Sequence, residues 1–258
     1  GASDDGVSCA IAFDLIRLLA HSPEMVLLYD VVFVFNGAEE AFMEGAHGFI
    51  TQHRWAKDIR TFVNLEAAGS GGREVVFQTG PGDEIASLYA SLVPHPHGNV
   101  LLQELFETGV IPGDTDFRVY RDFGGIPGVD LAFIANGYVY HTKLDTVDRI
   151  PLGAVQRAGE NILAMLTGFQ SMLQMEDAFK PSTTKPVFFD VLGLCMVTYG
   201  HSTKHILHTS MLLLLGALLA HRNSRDPEGM FRASRAHSVS IVGGILCSML
   251  VGCAMLAI

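Results

Sequence analysis

Val32-Phe33-Val34-Phe35 stops abruptly at Asn36-Gly37, and two adjacent carboxylates, Glu39 and Glu40, follow. A short β-branched and aromatic run that ends at a turn signal reads as a buried strand. In an open α/β sheet, reactive groups gather just beyond the carboxyl ends of such strands. Two neighbouring carboxylates there cannot both rest as unpaired anions. Either one holds a proton or a cation is present.

The rest of the first 180 residues repeats this alternation. Apolar spacing predicts a helix through residue 20, a strand over 26–35 and a helix over about 41–52. Strands are expected at 60–65, 74–79 and 128–135, with helices at 83–92 and 100–108. Leu152, Val155, Ile162, Leu166, Phe169 and Leu173 mark a long amphipathic helix. Strands alternating with helices mean an α/β domain with helices on both sheet faces.

Charge divides the chain unevenly. Residues 1–180 carry 11 Lys and Arg against 24 Asp and Glu, whereas residues 181–258 carry 6 against 3. The acidic front excludes a nucleic-acid phosphate track, which needs clustered cations. The four cysteines fall in no C-x-x-C or Cys/His spacing, so a thiolate metal site and a disulfide framework are both unsupported.

Composition changes near residue 180. Segment 187–199 is apolar but short and contains Asp190, 205–220 is 16 residues without a charge, and 238–258 is 21. A bilayer core needs roughly 20 apolar residues, so two membrane spans are expected rather than two buried helices. The connecting loop holds Arg222, Arg225, Arg232 and Arg235, which the positive-inside rule places in the cytoplasm. The acidic domain is then expected on the opposite, lumenal or extracellular, side.

Asp4, the Glu39-Glu40 pair, Glu66 and His141 share one property: each follows a predicted strand or opens a helix. Helix capping accounts for one of Asp4 and Asp5 but less well for both. Carboxylates plus imidazole, with no thiolate, suit a catalytic Zn²⁺ with an open position. Glu39 would then be free to act as base on water. His95 and His97, in a Pro-spaced loop, are either metal ligands or merely solvated.

The order D-D-G, N-G-A-E-E, N-L-E, D-T-D-F and Y-V-Y-H-T resembles the M28 family of zinc aminopeptidases and carboxypeptidases. It is most similar to the branch in which the peptidase domain is joined to a multi-span region of the endoplasmic reticulum membrane. The resemblance implies a mixed central sheet flanked by helices over residues 1–180, lacking its N-terminal part. A membrane region of about two transmembrane helices over 181–258 would follow.

The resemblance also assigns roles. It implies peptide substrates, a lumenal peptidase domain, and two zinc ions bridged by Asp4. Glu40 and His141 would hold one ion and Glu66 the other. Glu39 would be the general base and acid, Tyr140 would stabilise the oxyanion, and Asp5 would support the turn beside the metal. Asp145 is expected to cap the following helix. The family's H-x-D histidine lies upstream of the D-D-G turn, where this sequence begins. One zinc site is therefore expected to be complete and the second poor, with low activity. Two alternatives stay open: a single-zinc glutaminyl cyclase, which uses an Asp, Glu and His set, and a peptidase-like ectodomain that binds without cleaving.

Overall fold

In a computed structural model the described residues are 1–174, 179 and 184–256, with side chains as far as residue 244. They form two compact units, Gly1–His201 and Ser202–Ile258. The first is built on three strands, β1 (Phe62–Ala67), β2 (Gly71–Gly80) and β3 (Gly128–Ala135). The sheet order is β1-β3-β2, with β1 parallel and β2 antiparallel to β3, so the sheet is mixed as expected.

Alternation along β2 separates the two faces. Val76 joins Val129, Leu131 and Phe133 in a core with α1 (Ser8–His21), α3 (Glu84–Leu92) and α6 (Ala154–Met172). Val75 and Phe77 point the other way, together with Ala132, onto Leu102 and Phe106 of α4 (Val100–Glu107). Residues three or four apart on α6, namely Ala154, Ala158, Ile162, Met165 and Phe169, supply its buried stripe. A smaller cluster joins α2 (Glu44–Gln52) to α5 (Asp116–Asp122) through Ala46, Val119 and Tyr120.

The run 26–35 is not a strand. It carries no ladder hydrogen bonds, and Val26, Leu28, Val34 and Phe35 stay exposed. Side chains hold it instead. Gln170 of α6 accepts from the Leu28 and Tyr29 amides, both at 2.8 Å, and Phe35 stacks on Phe13. An apolar β-branched run becomes a strand only beside a partner, and among the described residues none pairs with it.

Segment 187–199 folds as a hairpin of β4 (Val187–Val191) and β5 (Cys195–Tyr199) and belongs to the first unit. Phe188 and Met196 enter the main core. Asp190 seals the contact, its carboxylate 2.9 Å from His97 Nδ1 while its amide donates to the Gly98 carbonyl. His97 thus serves a structural bond, and the compact unit runs about twenty residues beyond the compositional change.

The second unit is helical. α7 (His201–Arg225) is the one helix among the described residues long and apolar enough to cross a membrane, with mean hydropathy 1.3 in its most apolar stretch. α8 spans Pro227–Leu256. The expected Arg-rich loop shrinks to Asp226, because Pro227 suits a first helical position and Asp226 Oδ1 accepts from Gly229 N at 2.8 Å. Most of the second candidate span, 238–258, lies outside the described side chains, and its last two residues lie outside the described chain.

Candidate metal centre

Four segments from opposite ends of the sequence meet beyond the carboxyl end of β1. The turn Ala2–Val7 ahead of α1 carries Asp4 and Asp5. The irregular segment after Phe35 carries Glu39 and Glu40, β1 carries Glu66, and the 3₁₀ turn Gly137–Val139 leads into Tyr140 and His141. Asp145 ties the first segment to the last, accepting from the Ser3 amide at 2.9 Å and from the Asp4 amide at 3.0 Å. It is therefore not a helix cap. It fixes the backbone on which Asp4 stands.

Ligand-type atoms of Asp4, Glu40 and His141 all lie within 4.8 Å of one another. His141 Nε2 is 2.5 Å from Glu40 Oε1 and 3.4 Å from Asp4 Oδ2. His141 adopts left-handed backbone, φ 55°, and the Tyr140 ring stacks on its imidazole with centroids 3.8 Å apart. Such a conformation is uncommon outside glycine and clusters at functional sites.

Glu66 is not part of that trio. Period-two spacing puts Asn64 and Glu66 on one face of β1, and the β1–β3 register sets Asn64 opposite Asp130. Asn64 Nδ2 donates both to Glu66 Oε1, at 3.0 Å, and to Asp130 Oδ1, at 2.9 Å. The fully buried Asp130 also accepts from Gln78 Nε2 at 3.1 Å and from the Thr115 hydroxyl. Nearby, Asn36 Nδ2 donates to buried Asp116 at 2.6 Å, which anchors the segment leading to Glu39.

The carboxylates raise one another. Burial, then the charges of Asp116, Glu40 and Asp4, push Glu39 up to about 7. Burial does the same for Asp5, to about 7, although the Ser8 hydroxyl opposes it. Asp4 is raised by burial and by Glu40, against the pull of His141. Burial and then Asp130 push Glu66 up to about 10, and burial raises Asp130 to about 7 against the donors of Thr115, Asn64 and Gln78. Burial and the surrounding carboxylates push the Tyr140 phenol up to about 12.

Among the described residues no Lys or Arg side chain forms an ion pair with Asp4, Asp5, Glu39, Glu40 or Glu66. Two carboxylates and an imidazole converging without a Lys or Arg among them are a donor set that fits a divalent metal ion. Replacing Asp145 by Ala frees the Ser3–Asp4 backbone. That variant is expected to bind zinc about 10–100-fold more weakly, as read by competition with a chromophoric chelator; unchanged affinity would show that Asp4 needs no such support.

Sequence reading placed Asn36, Asn64 and Asp116 within motifs but gave them no role, and it passed over Asp130. Their signal was present: Asp130 interrupts an apolar strand, and Asn64 alternates with Glu66. Polar residues facing into a sheet need partners, and these found one another.

The sequence profile of peptidase family M28 matches residues 1–166. Across 228 residues, 86% of the chain, it is 51% identical to endoplasmic reticulum metallopeptidase 1 of Rattus norvegicus, of which it covers 25%. It is 51% identical over 220 residues to the Homo sapiens protein of the same name, covering 85% of this chain and 24% of that one. A vacuolar membrane protease of Schizophyllum commune is 32% identical over 85% of the chain and 24% of its own length. The chain thus spans about a quarter of the length of these relatives. Among solved structures it is similar to an aminopeptidase from Aneurinibacillus sp. strain AM-1, with TM-score 0.48 and 18% identity, covering 70% of this chain and 40% of that one.

Proposed function

The chain belongs to peptidase family M28, and we propose that it forms the catalytic part of a membrane-anchored zinc exopeptidase of aminopeptidase type. It acts in the endoplasmic reticulum, with α7 crossing the bilayer and the first unit on the lumenal side. The observation that carries this reading is the convergence of Asp4, Glu40 and His141 within 4.8 Å, with Glu39 adjacent in sequence to one of them.

Asp4, Glu40 and His141 would hold one zinc ion, and Asp4 with Glu66 would serve a second. Zinc bound there would polarise the scissile carbonyl and make water acidic enough to ionise near neutral pH. Glu39 takes the proton from the attacking water and passes it to the departing amine. Its raised proton affinity suits a group that must both accept and return a proton near neutrality. The Tyr140 phenol stays protonated and donates to the carbonyl oxygen as it gains charge. Asp5, bonded to the Ser8 hydroxyl, holds the turn that presents Asp4. A site rich in carboxylates attracts the ammonium of a peptide's free amino end, which favours aminopeptidase action.

Because the trio excludes Glu66, a second reading keeps some support: one zinc, and cyclisation of an amino-terminal glutamine. The zinc-loaded protein, given peptides with free and with acetylated amino ends, separates these by mass spectrometry. Stepwise shortening of the free peptides alone is expected. Loss of ammonia from glutamine without shortening would establish cyclisation instead, and no change in any peptide would leave a binding module.

A further inference from the structure

We propose that the β4–β5 hairpin is a lipid-contact element, its outer face and tip resting in the interface of the bilayer that α7 crosses. Inward and outward residues differ sharply along it. Phe188 and Met196 are buried, and the carboxylate of Asp190, the one acidic residue of segment 187–199, is spent on His97 and on the Gly193 amide at 2.6 Å.

Facing out are the pairs Phe189 with Val197 and Val191 with Cys195, all exposed. The tip adds Leu192 and Leu194, exposed to 83% and 77%. A hairpin that meets water on one face ordinarily alternates apolar with polar. This one presents an uncharged apolar face ending in two exposed leucines, the pattern of a surface that contacts something.

Chain connectivity selects the occupant. Six residues separate Leu194 from His201, where α7 begins, and the seven steps between them reach at most about 25 Å. On the reading that α7 spans the membrane, which this inference rests on, chain connectivity holds the tip within that reach of the residue where α7 begins. The exposed Arg73 lies directly behind the tip, donating from Nη1 to the Leu192 carbonyl at 3.3 Å. Apolar side chains backed by a guanidinium match the acyl boundary and the anionic headgroups of a lipid interface.

The test uses the full chain carrying Trp55→Phe and Leu194→Trp, reconstituted in phosphatidylcholine and phosphatidylserine vesicles. Leu194 is exposed and its replacement disturbs no packing. Blue-shifted indole emission that is mostly lost with lipids brominated high on their acyl chains is the expected result. Emission open to aqueous quenchers, in a chain that survives alkaline carbonate washing, would overturn the hairpin contact while leaving the anchor intact. Emission reached by neither quencher would likewise overturn it and assign the face to a protein partner. Release of the chain by carbonate would overturn the anchor, and the hairpin contact with it.

Discussion

Glu39→Gln is expected to lower kcat about 10²–10⁴-fold while leaving zinc content unchanged. Glu40, Asp4 and His141 supply the clustered ligand-type atoms, and Glu39 is not among them. The amide keeps the volume and most hydrogen bonding of the carboxylate but cannot take a proton from water. It also removes one negative charge from a site where burial and like charge already hold Glu39 near 7. Metal affinity should therefore fall little. Metal analysis and single-turnover kinetics on the same preparation separate the two effects. Equal loss of zinc and of rate would make Glu39 a ligand or a structural group, and an unchanged rate would remove it from the mechanism.

That separation rests on neighbours whose importance was partly legible. The motif residues were visible because each stands where an apolar run ends or a helix begins, a local property. β1, β2, β3 and α6 were legible for the same reason, since the period of their side chains is written in a few successive residues. What escaped depends on pairing across the fold. The run 26–35 has strand composition but no partner strand among the described residues, and segment 187–199 is apolar but packs as a hairpin with Phe188 and Met196 in the main core. Asp145 lies four residues after His141, and nothing local says that its carboxylate reaches back to the amides of Ser3 and Asp4. Composition also drew the break too wide between Arg222 and Arg235, because arginine is a good helix former and only Asp226 lies between the helices.

The polar layer beneath the trio is where stability and the site are coupled, and Asp130→Ala is expected to show it by costing about 3–5 kcal/mol of folding free energy. The substitution leaves Asn64, Gln78 and Thr115 with donors directed at an acceptor that is gone, in a place water does not reach. Asn64 also loses the bond that fixes it against Glu66, so zinc bound through Glu66 should weaken in the same variant. Asp130→Asn isolates the proton. Burial raises the native carboxyl to about 7, above its usual value of about 3.9 in an unfolded chain. The native state therefore binds this proton more tightly than the unfolded state does. Stability from this group is full below about pH 4 and drains away as pH rises towards about 7, by up to about 1.4 kcal/mol per pH unit. Denaturant titrations of the metal-free chain across that range should show a shallower decline for Asp130→Asn than for the native chain. Parallel slopes would mean that Asp130 is ionised throughout, with its three donors outweighing its burial.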